Sequence, residues 1–400
     1  MSDFADIINK CKKDWQCPEL MESVNRVNGR KIPFPSPSLN WETYGGIPRA
    51  AVTMFYGPPG GGKSTTAIGN CKEAIALFNQ EFEDEVIALE EKVNSGKKEF
   101  KPQLVDLRDR GPKKVLYTDL EHSFDKKWAA TIGITNSAIE IMQPPNVSAE
   151  KILQKVEELI CTGEVGLIVL DSVPSLVTQA ELDKKYGERT VASLSGLLTI
   201  FLRKITPLLP KYDCTLLIIN HQRENMDNPY VDQIPGGTAL KFYSSLIMAF
   251  KLGYPLDFLG TPLPQKAENP AGYLIEVRVK KQKTAPYDRK LGQYYLMAQQ
   301  GIRVDFEFAN LAINQYGLIK KSGAWFTLYD PDTNMPLEVD NSIVKLNGLA
   351  KVYDYLQTNV EYYERLCNFI VNDINKNGIS SEDFESEEVN SDIIPEYIPE

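Results

Sequence analysis

Histidine and cysteine are scarce in this 400-residue chain. There are two histidines, His122 and His221, and six cysteines (Cys11, Cys17, Cys71, Cys161, Cys214 and Cys367) with no CxxC pair among them. That scarcity excludes a histidine-rich metal site, and the cysteine spacing argues against structural zinc. The thiols are expected to be buried or idle rather than paired. No apolar run approaches the roughly 18 residues that span a bilayer. The first residues, MSDFADIINKCKKDW, lack the apolar core of a secretory signal. The expectation is a soluble, intracellular protein.

Hydrophobic residues make up 42% of the chain and charged residues 24%. This balance supports a sizeable core and excludes collagen-like, coiled-coil and wholly disordered readings. The formal net charge is −10, unfavourable at first sight for a nucleic-acid partner. Its distribution changes that reading. From Asn377 to Glu400 there are eight acidic residues and no lysine or arginine, so residues 1–376 carry a net charge of only −2. A basic surface on the body is compatible with that distribution, and the acidic tail is expected to be disordered.

Along the chain, Pro33-Phe34-Pro35-Ser36-Pro37-Ser38 breaks any early helix. From Val52 to about Ile302, short β-branched runs alternate with longer amphipathic stretches. The runs are Val52–Tyr56, Val115–Thr118, Leu167–Leu170 and Thr215–Ile219. Such alternation predicts βαβ units, hence an α/β fold with a mainly parallel twisted sheet flanked by helices. The charged segment from Asn79 to Lys114 reads as a solvated helix and loop extending the first crossover. A helical apolar period returns at Tyr353, Leu356, Val360, Tyr363, Leu366, Ile370 and Ile374, predicting a small C-terminal helical lobe.

The strongest chemical signal is Gly57-Pro58-Pro59-Gly60-Gly61-Gly62-Lys63-Ser64, which follows a predicted strand and opens a helix expected over Thr65–Phe78. Glycines let consecutive backbone N–H groups turn toward phosphate oxygens, and the helix N-terminus adds a favourable field. Lys63 is placed to reach the β- and γ-phosphates, and Ser64 to bind Mg²⁺. Leu167-Ile168-Val169-Leu170-Asp171 delivers a carboxylate at a strand tip, as a Walker B element does, so Asp171 is the second metal-holding candidate. Asp119 and Glu121 end another short strand. Either is a candidate to orient and deprotonate an attacking water.

Seven blocks stand in unbroken order: GPPGGGKST, TDLEHSFDKKWAATIGI, GLIVLDSVPSL, LLIINHQR, PGGTALKFY, VKKQKTAPY and KSGAWF. In this order the chain resembles the RecA family of recombinases from about Ser38 to Asn375. Its N-terminal stretch and the Asn220-His221-Gln222-Arg223 variant resemble the phage-encoded UvsX type. The resemblance implies a RecA-like P-loop ATPase core over 39–302 and a small C-terminal lobe over 303–376. It also implies an N-terminal segment, 1–38, that packs between subunits, and an acidic tail over 377–400.

By the same resemblance Glu121 matches the catalytic glutamate. Asp125 and Trp128 match positions that receive adenine, with Thr65 completing the nucleotide-binding set. The family's γ-phosphate sensor position is held by His221, with Gln222 next to it. Lys281 and Lys283 match a pair that reaches the neighbouring subunit's γ-phosphate. DNA contact falls to loops near 181–191 and 222–237, with Lys184, Lys185, Arg189, Val191, Arg223, Met226, Gly236 and Gly237, and to Arg203 in the helix between them. Gly196 stands where the family has another DNA-contacting arginine.

The implied function is an ATP- and Mg²⁺-dependent DNA recombinase. It would form a helical filament on single-stranded DNA, exchange strands with duplex, and hydrolyse ATP faster when single strands are bound. Implied partners are further copies of the chain, single- and double-stranded DNA, and as further candidates a single-strand-binding protein and a loader. The implied compartment is a bacterial cytoplasm, or a host cytoplasm for a phage protein. Two competing readings stay open: a RecA-core hexameric helicase, and a weakly hydrolysing, ATP-switched DNA-binding filament protein.

Overall fold

The computed structural model describes residues 30–135, 138–185, 194–222, 234–285 and 289–379. It opens with Lys31–Ile32 (β1), a short helix at Pro37–Thr43 (α1) and Ile47–Pro48 (β2), which pairs antiparallel with β1. Ser36 starts α1 by accepting the Leu39 N–H, and Pro37 occupies the first turn, where a missing N–H costs nothing. Then follow β3 (Val52–Gly57), α2 (Lys63–Asn94), α3 (Lys101–Arg110), β4 (Lys114–Asp119), α4 (Lys126–Ile132) and β5 (Glu140–Met142). The core continues with α5 (Ala149–Cys161), β6 (Val165–Asp171), α6 (Gln179–Leu182), α7 (Leu194–Ile205), α8 (Leu208–Tyr212) and β7 (Thr215–His221). It ends with α9 (Thr238–Tyr243), β8 (Leu246–Leu256), β9 (Gly272–Gln282), β10 (Leu291–Met297) and β11 (Gly301–Ile302).

These strands form one nine-stranded sheet in the order β11-β10-β9-β8-β3-β7-β6-β4-β5. From β8 to β5 every pairing is parallel, while β9, β10 and β11 extend the sheet antiparallel. The expected parallel α/β architecture is therefore present. Strands β3, β6 and β7 are buried on both faces, which is why they read as near-continuous apolar runs. Phe55, Val169 and Leu217 join one core beneath α2, whereas Met54, Ile168 and Leu216 join the opposite core beneath α5 and α7. Neighbouring residues thus serve different cores, as the two-residue period of a strand requires.

Ile32 and Phe34 are built into the α2-side core, so residues 30–38 pack within their own chain. Beyond β11, three helices at Val304–Asn314 (α10), Leu349–Thr358 (α11) and Val360–Ile379 (α12) enclose a third core with a small antiparallel sheet. The period expected to run from Tyr353 to Ile374 is split at Asn359, whose backbone leaves the helical region. There the Asn359 side chain donates to the Tyr355 carbonyl at 2.9 Å, and such local bonding competes with helix continuation. The last helix reaches Ile379, two residues past the expected start of the tail.

The segment 79–114 differs most from expectation. Helix α2 does not stop near Phe78 but runs for 32 residues, roughly 48 Å at 1.5 Å per residue. Its distal half packs against α3 around Leu89, Leu104 and Leu107, a small apolar cluster separate from the main cores. Solvated decoration would not need one. Among the described residues no helix is long and apolar enough to cross a membrane.

Candidate nucleotide site and DNA-facing surfaces

In a parallel sheet all strands deliver their C-terminal ends to one edge, where ligand-binding loops gather. Here that edge carries Gly57, Asp119, Asp171 and His221 as the last residues of β3, β4, β6 and β7. The P-loop leaves β3 and turns into α2 through Gly60 and Gly62, both at positive φ. At Gly62 a side chain would collide with Tyr294 Oη, so packing as well as backbone angle favours glycine. Tyr294 in turn donates to the Gly62 carbonyl at 3.3 Å and pairs with Thr66 Oγ1 at 2.8 Å.

Lys63 is 5% exposed, and its ammonium donates to the carbonyls of Gly57 (3.1 Å) and Pro58 (2.8 Å). Burial lowers its proton affinity below the usual lysine value, opposed by the charges of Asp171 and Glu121. Burial also raises Asp171 above the usual carboxylate range, while hydrogen bonds from Tyr117 and Ser64 draw it back. Tyr117 Oη lies 2.5 Å from Asp171 Oδ2. Tyr117 leaves little trace in the sequence, one phenol among the mixed residues of β4.

The two strand-end carboxylates part ways. Asp119 is 1% exposed and spends its oxygens on the N–H groups of Ser123 (3.2 Å) and Phe124 (2.9 Å) and on Gln143 Nε2 (2.8 Å). It shapes the turn after β4. Glu121 keeps its side chain 30% exposed; its Oε1 accepts from Ser172 Oγ and lies 3.0 Å from His221 Nε2. Between the two strand-end candidates, Glu121 is the one placed to meet a water. Ser172 was also missed, although it directly follows Asp171.

Asn220 joins this edge to the second loop, since its Nδ2 donates to the Pro235 carbonyl at 2.7 Å and its Oδ1 accepts from the His221 N–H at 2.8 Å. Gln222 continues from His221, with its N–H on the Gly57 carbonyl at 3.1 Å. Asp125 begins α4, accepting from the N–H groups of Lys127 (2.8 Å) and Trp128 (3.1 Å). The half-buried Trp128 indole donates to Thr65 Oγ1 at 3.1 Å, which sets its ring beside the start of α2. Gly57, Pro58, Pro59, Gly60, Gly61, Gly62, Lys63, Ser64, Thr65, Asp171, Glu121, His221 and Trp128 are thus gathered at one edge.

Lys281 and Lys283 are elsewhere. Gln282 pairs with Leu246 and Leu246 with Thr53, so the lysines stand beside the beginning of β3. Gly57 is four residues further on, roughly 13 Å at strand rise, and the P-loop lies beyond it. Lys281 Nζ donates to the carbonyls of Lys241 (2.6 Å) and Phe242 (3.0 Å), capping the C-terminal end of α9.

Of the DNA candidates, Arg189, Val191, Arg223 and Met226 lie outside the described residues. Lys184 is half-buried, and Lys185 and Arg203 are exposed. Arg203 sits nine residues into α7, roughly 14 Å from its loop-side start, and is not gathered with the loop residues. Gly236 and Gly237 have an intramolecular reason to be glycine: both have positive φ, and a side chain would press on Leu198 and Leu240 or on Ser195. A basic face that the sequence reading passed over lies on β8 and β9, where exposed Lys251, Arg278 and Lys280 line a cavity that also touches Pro58 and Gln222.

Comparison with known proteins now bears on this geometry. The RecA N-terminal domain model matches residues 83–303, more than half of the chain. Protein RecA of Chlorobaculum tepidum is 34% identical over 285 residues, covering 71% of this chain and 69% of that protein. The chain belongs to the RecA family. Protein RecA of Bacteroides thetaiotaomicron is 31% identical over 319 residues, covering 77% of this chain and 80% of its own length. RecA-family recombinases bind ATP and DNA and act in recombination and repair.

Proposed function

We propose that this RecA-family chain is an ATP-dependent strand-exchange protein that assembles as a helical filament on single-stranded DNA and hydrolyses ATP faster when DNA is bound. The observation that carries the reading is the division of the machinery between opposite sheet edges. The P-loop, Asp171, Glu121 and His221 share one edge, and Lys281 and Lys283 occupy the other. A chain built this way completes its site by stacking head to tail, with the lysine edge of one copy over the P-loop edge of the next.

In each completed site the P-loop N–H groups and Lys63 hold the phosphates, and Trp128 with Asp125 receives the base. Glu121, oriented by Ser172 and His221, takes the proton of the attacking water. Lys281 and Lys283 of the neighbouring copy stabilise charge on the transferring phosphoryl group. Ser64 and the buried Asp171 are hard oxygen donors suited to Mg²⁺, which takes only one or two protein oxygens when it shares phosphates. The ion supplies charge neutralisation at the phosphates. Because Asn220 bonds both the His221 N–H and Pro235, a change at the γ-phosphate has a direct route to the second DNA loop. Lys184, Lys185, Arg203 and the Lys251, Arg278 and Lys280 face supply phosphate contacts.

The test is ATP turnover with and without single-stranded DNA, alongside electron microscopy of the same mixtures. Stimulated turnover on open helical filaments is expected. Closed rings or DNA-independent turnover would overturn the reading.

A further inference from the structure

A cavity of about 220 Å³ opens between α1, β10 and α10, and none of its lining residues belongs to the nucleotide site. Exposed Gln293, Asn314 and Gln315 form its mouth. Its inner wall carries two carboxylates, Glu42 and Glu307, which are 6% and 1% exposed. Glu307 Oε2 is occupied, accepting from Ser36 Oγ and from the Ser38 N–H at 3.1 Å. Glu307 Oε1 and Glu42 Oε2 are buried with no hydrogen-bond partner. Buried polar atoms are normally paired, because leaving an acceptor desolvated is costly. Both belong to residues that line one cavity, and a donor seated there would satisfy them once the carboxylates turn toward it.

No lysine or arginine is among the lining residues. Arg289 acts on Glu42 electrostatically, but it lies stacked on Trp41 and Tyr44, at 3.7 and 4.2 Å from the ring centres, and donates to the Trp41 carbonyl. Among the described residues no group of three or more histidine, cysteine or acidic side chains is arranged for a metal. The remaining wall includes Trp41 and the Asn310 amide. Two carboxylates, amides and an indole suit an ion that donates several hydrogen bonds and tolerates an aromatic face.

We propose that this cavity is a binding site for an organic cation, a primary ammonium or guanidinium group, held by Glu42 and Glu307. That chemistry has two sources: a free amine, or a lysine or arginine side chain of a second copy of the chain. Binding is coupled to protons. Burial raises Glu307 to about 8, opposed by Ser36 and Ser38 and reinforced by Asp305. Burial raises Glu42 to about 7, opposed by Arg289 and the Leu291 N–H. Tyr294 and Tyr295 from β10 and Tyr363 from α12 also face Glu307 electrostatically. A cation selects the ionised carboxylates, so its binding releases protons and tightens as pH rises toward 8.

The probe is putrescine, added to the full chain at constant ionic strength, with thermal unfolding and titration calorimetry at pH 6, 7 and 8.5. Affinity is expected to rise by more than tenfold from pH 6 to pH 7, toward the roughly hundredfold limit for release of two protons, and to vanish in Glu307→Gln. Asn314→Lys, which tethers an ammonium at the mouth, is expected to raise the melting temperature and remove the putrescine response; it serves if Glu307→Gln fails to fold. Sedimentation separates the sources. Putrescine binding with unchanged self-association identifies a free amine. Self-association weakened by putrescine, and weakened alike by Glu307→Gln, identifies a neighbouring copy's basic side chain. No thermal shift with unchanged self-association at pH 8.5, or a response that survives in both variants, overturns the proposal.

Discussion

Glu121 and His221 meet at 3.0 Å, Oε1 to Nε2, although they come from strands β4 and β7 with β6 between them in the sheet. Ser172, just past β6, donates to the same carboxylate oxygen. Three strand ends therefore aim one carboxylate. Replacing it by an amide keeps an acceptor for Ser172 but removes the base. Glu121→Gln is expected to lower ATP turnover by about 10²–10⁴-fold while filter-binding of ATP persists. Loss of both together would make Glu121 a structural residue.

Lys63→Ala removes a cation that is already desolvated, its ammonium held on the Gly57 and Pro58 carbonyls of the P-loop. A charge-assisted hydrogen bond contributes about 2 kcal/mol, roughly thirtyfold in affinity. ATP-dependent binding to single strands should largely disappear, as read by fluorescence anisotropy. Wild-type affinity in ATP would contradict the nucleotide switch.

The proposed sharing of the site between neighbouring copies predicts complementation. Lys281→Ala with Lys283→Ala should abolish DNA-stimulated hydrolysis yet spare ATP binding to the free chain. Mixed with Lys63→Ala in filaments shown to contain both, some junctions would join a sound P-loop to sound lysines. Partial recovery of turnover is expected. Zero recovery would place the lysines on DNA instead.

Truncation of the acidic tail belongs after Ile379, because α12 extends that far. All eight tail carboxylates lie beyond that point. Their removal should tighten duplex binding most at low salt, since the competition is electrostatic. Equal affinity at every ionic strength would make the tail a bystander.

Stability should also carry the mark of Glu307. Its folded value of about 8 lies above the ordinary 4.5, so the folded chain binds more protons than the unfolded one between those limits. Stability from this group is complete below about pH 4.5 and is lost as pH rises through 8. Glu307→Gln removes that slope while leaving an acceptor for Ser36. A melting temperature measured from pH 5 to 8 should fall less steeply in the variant, and parallel curves would refute the assignment.

What the sequence determined by itself is the chemistry carried by consecutive residues. Gly57 to Ser64 is legible because a phosphate cradle is made of adjacent backbone N–H groups. The apolar runs of β3, β6 and β7 are legible because strands buried on both faces leave few polar positions. The α/β class followed from their alternation with amphipathic stretches. Everything that depends on strand order and register waited for the tertiary structure. Asp119 and Glu121 are two residues apart and equally acidic, and only the turn after β4 shows one consumed by N–H groups and the other facing His221. Tyr117 meets Asp171 across 54 positions of sequence, and Lys281 stands at the edge opposite Lys63 because β9 runs antiparallel to β8. The long α2 was hidden by its charge, since the cluster at Leu89, Leu104 and Leu107 is apolar only once two helices fold together. Nothing along the chain marks Glu42 and Glu307 until α1, β10 and α10 close around them. Such partners are set by folding geometry, and no spacing along the chain encodes them locally.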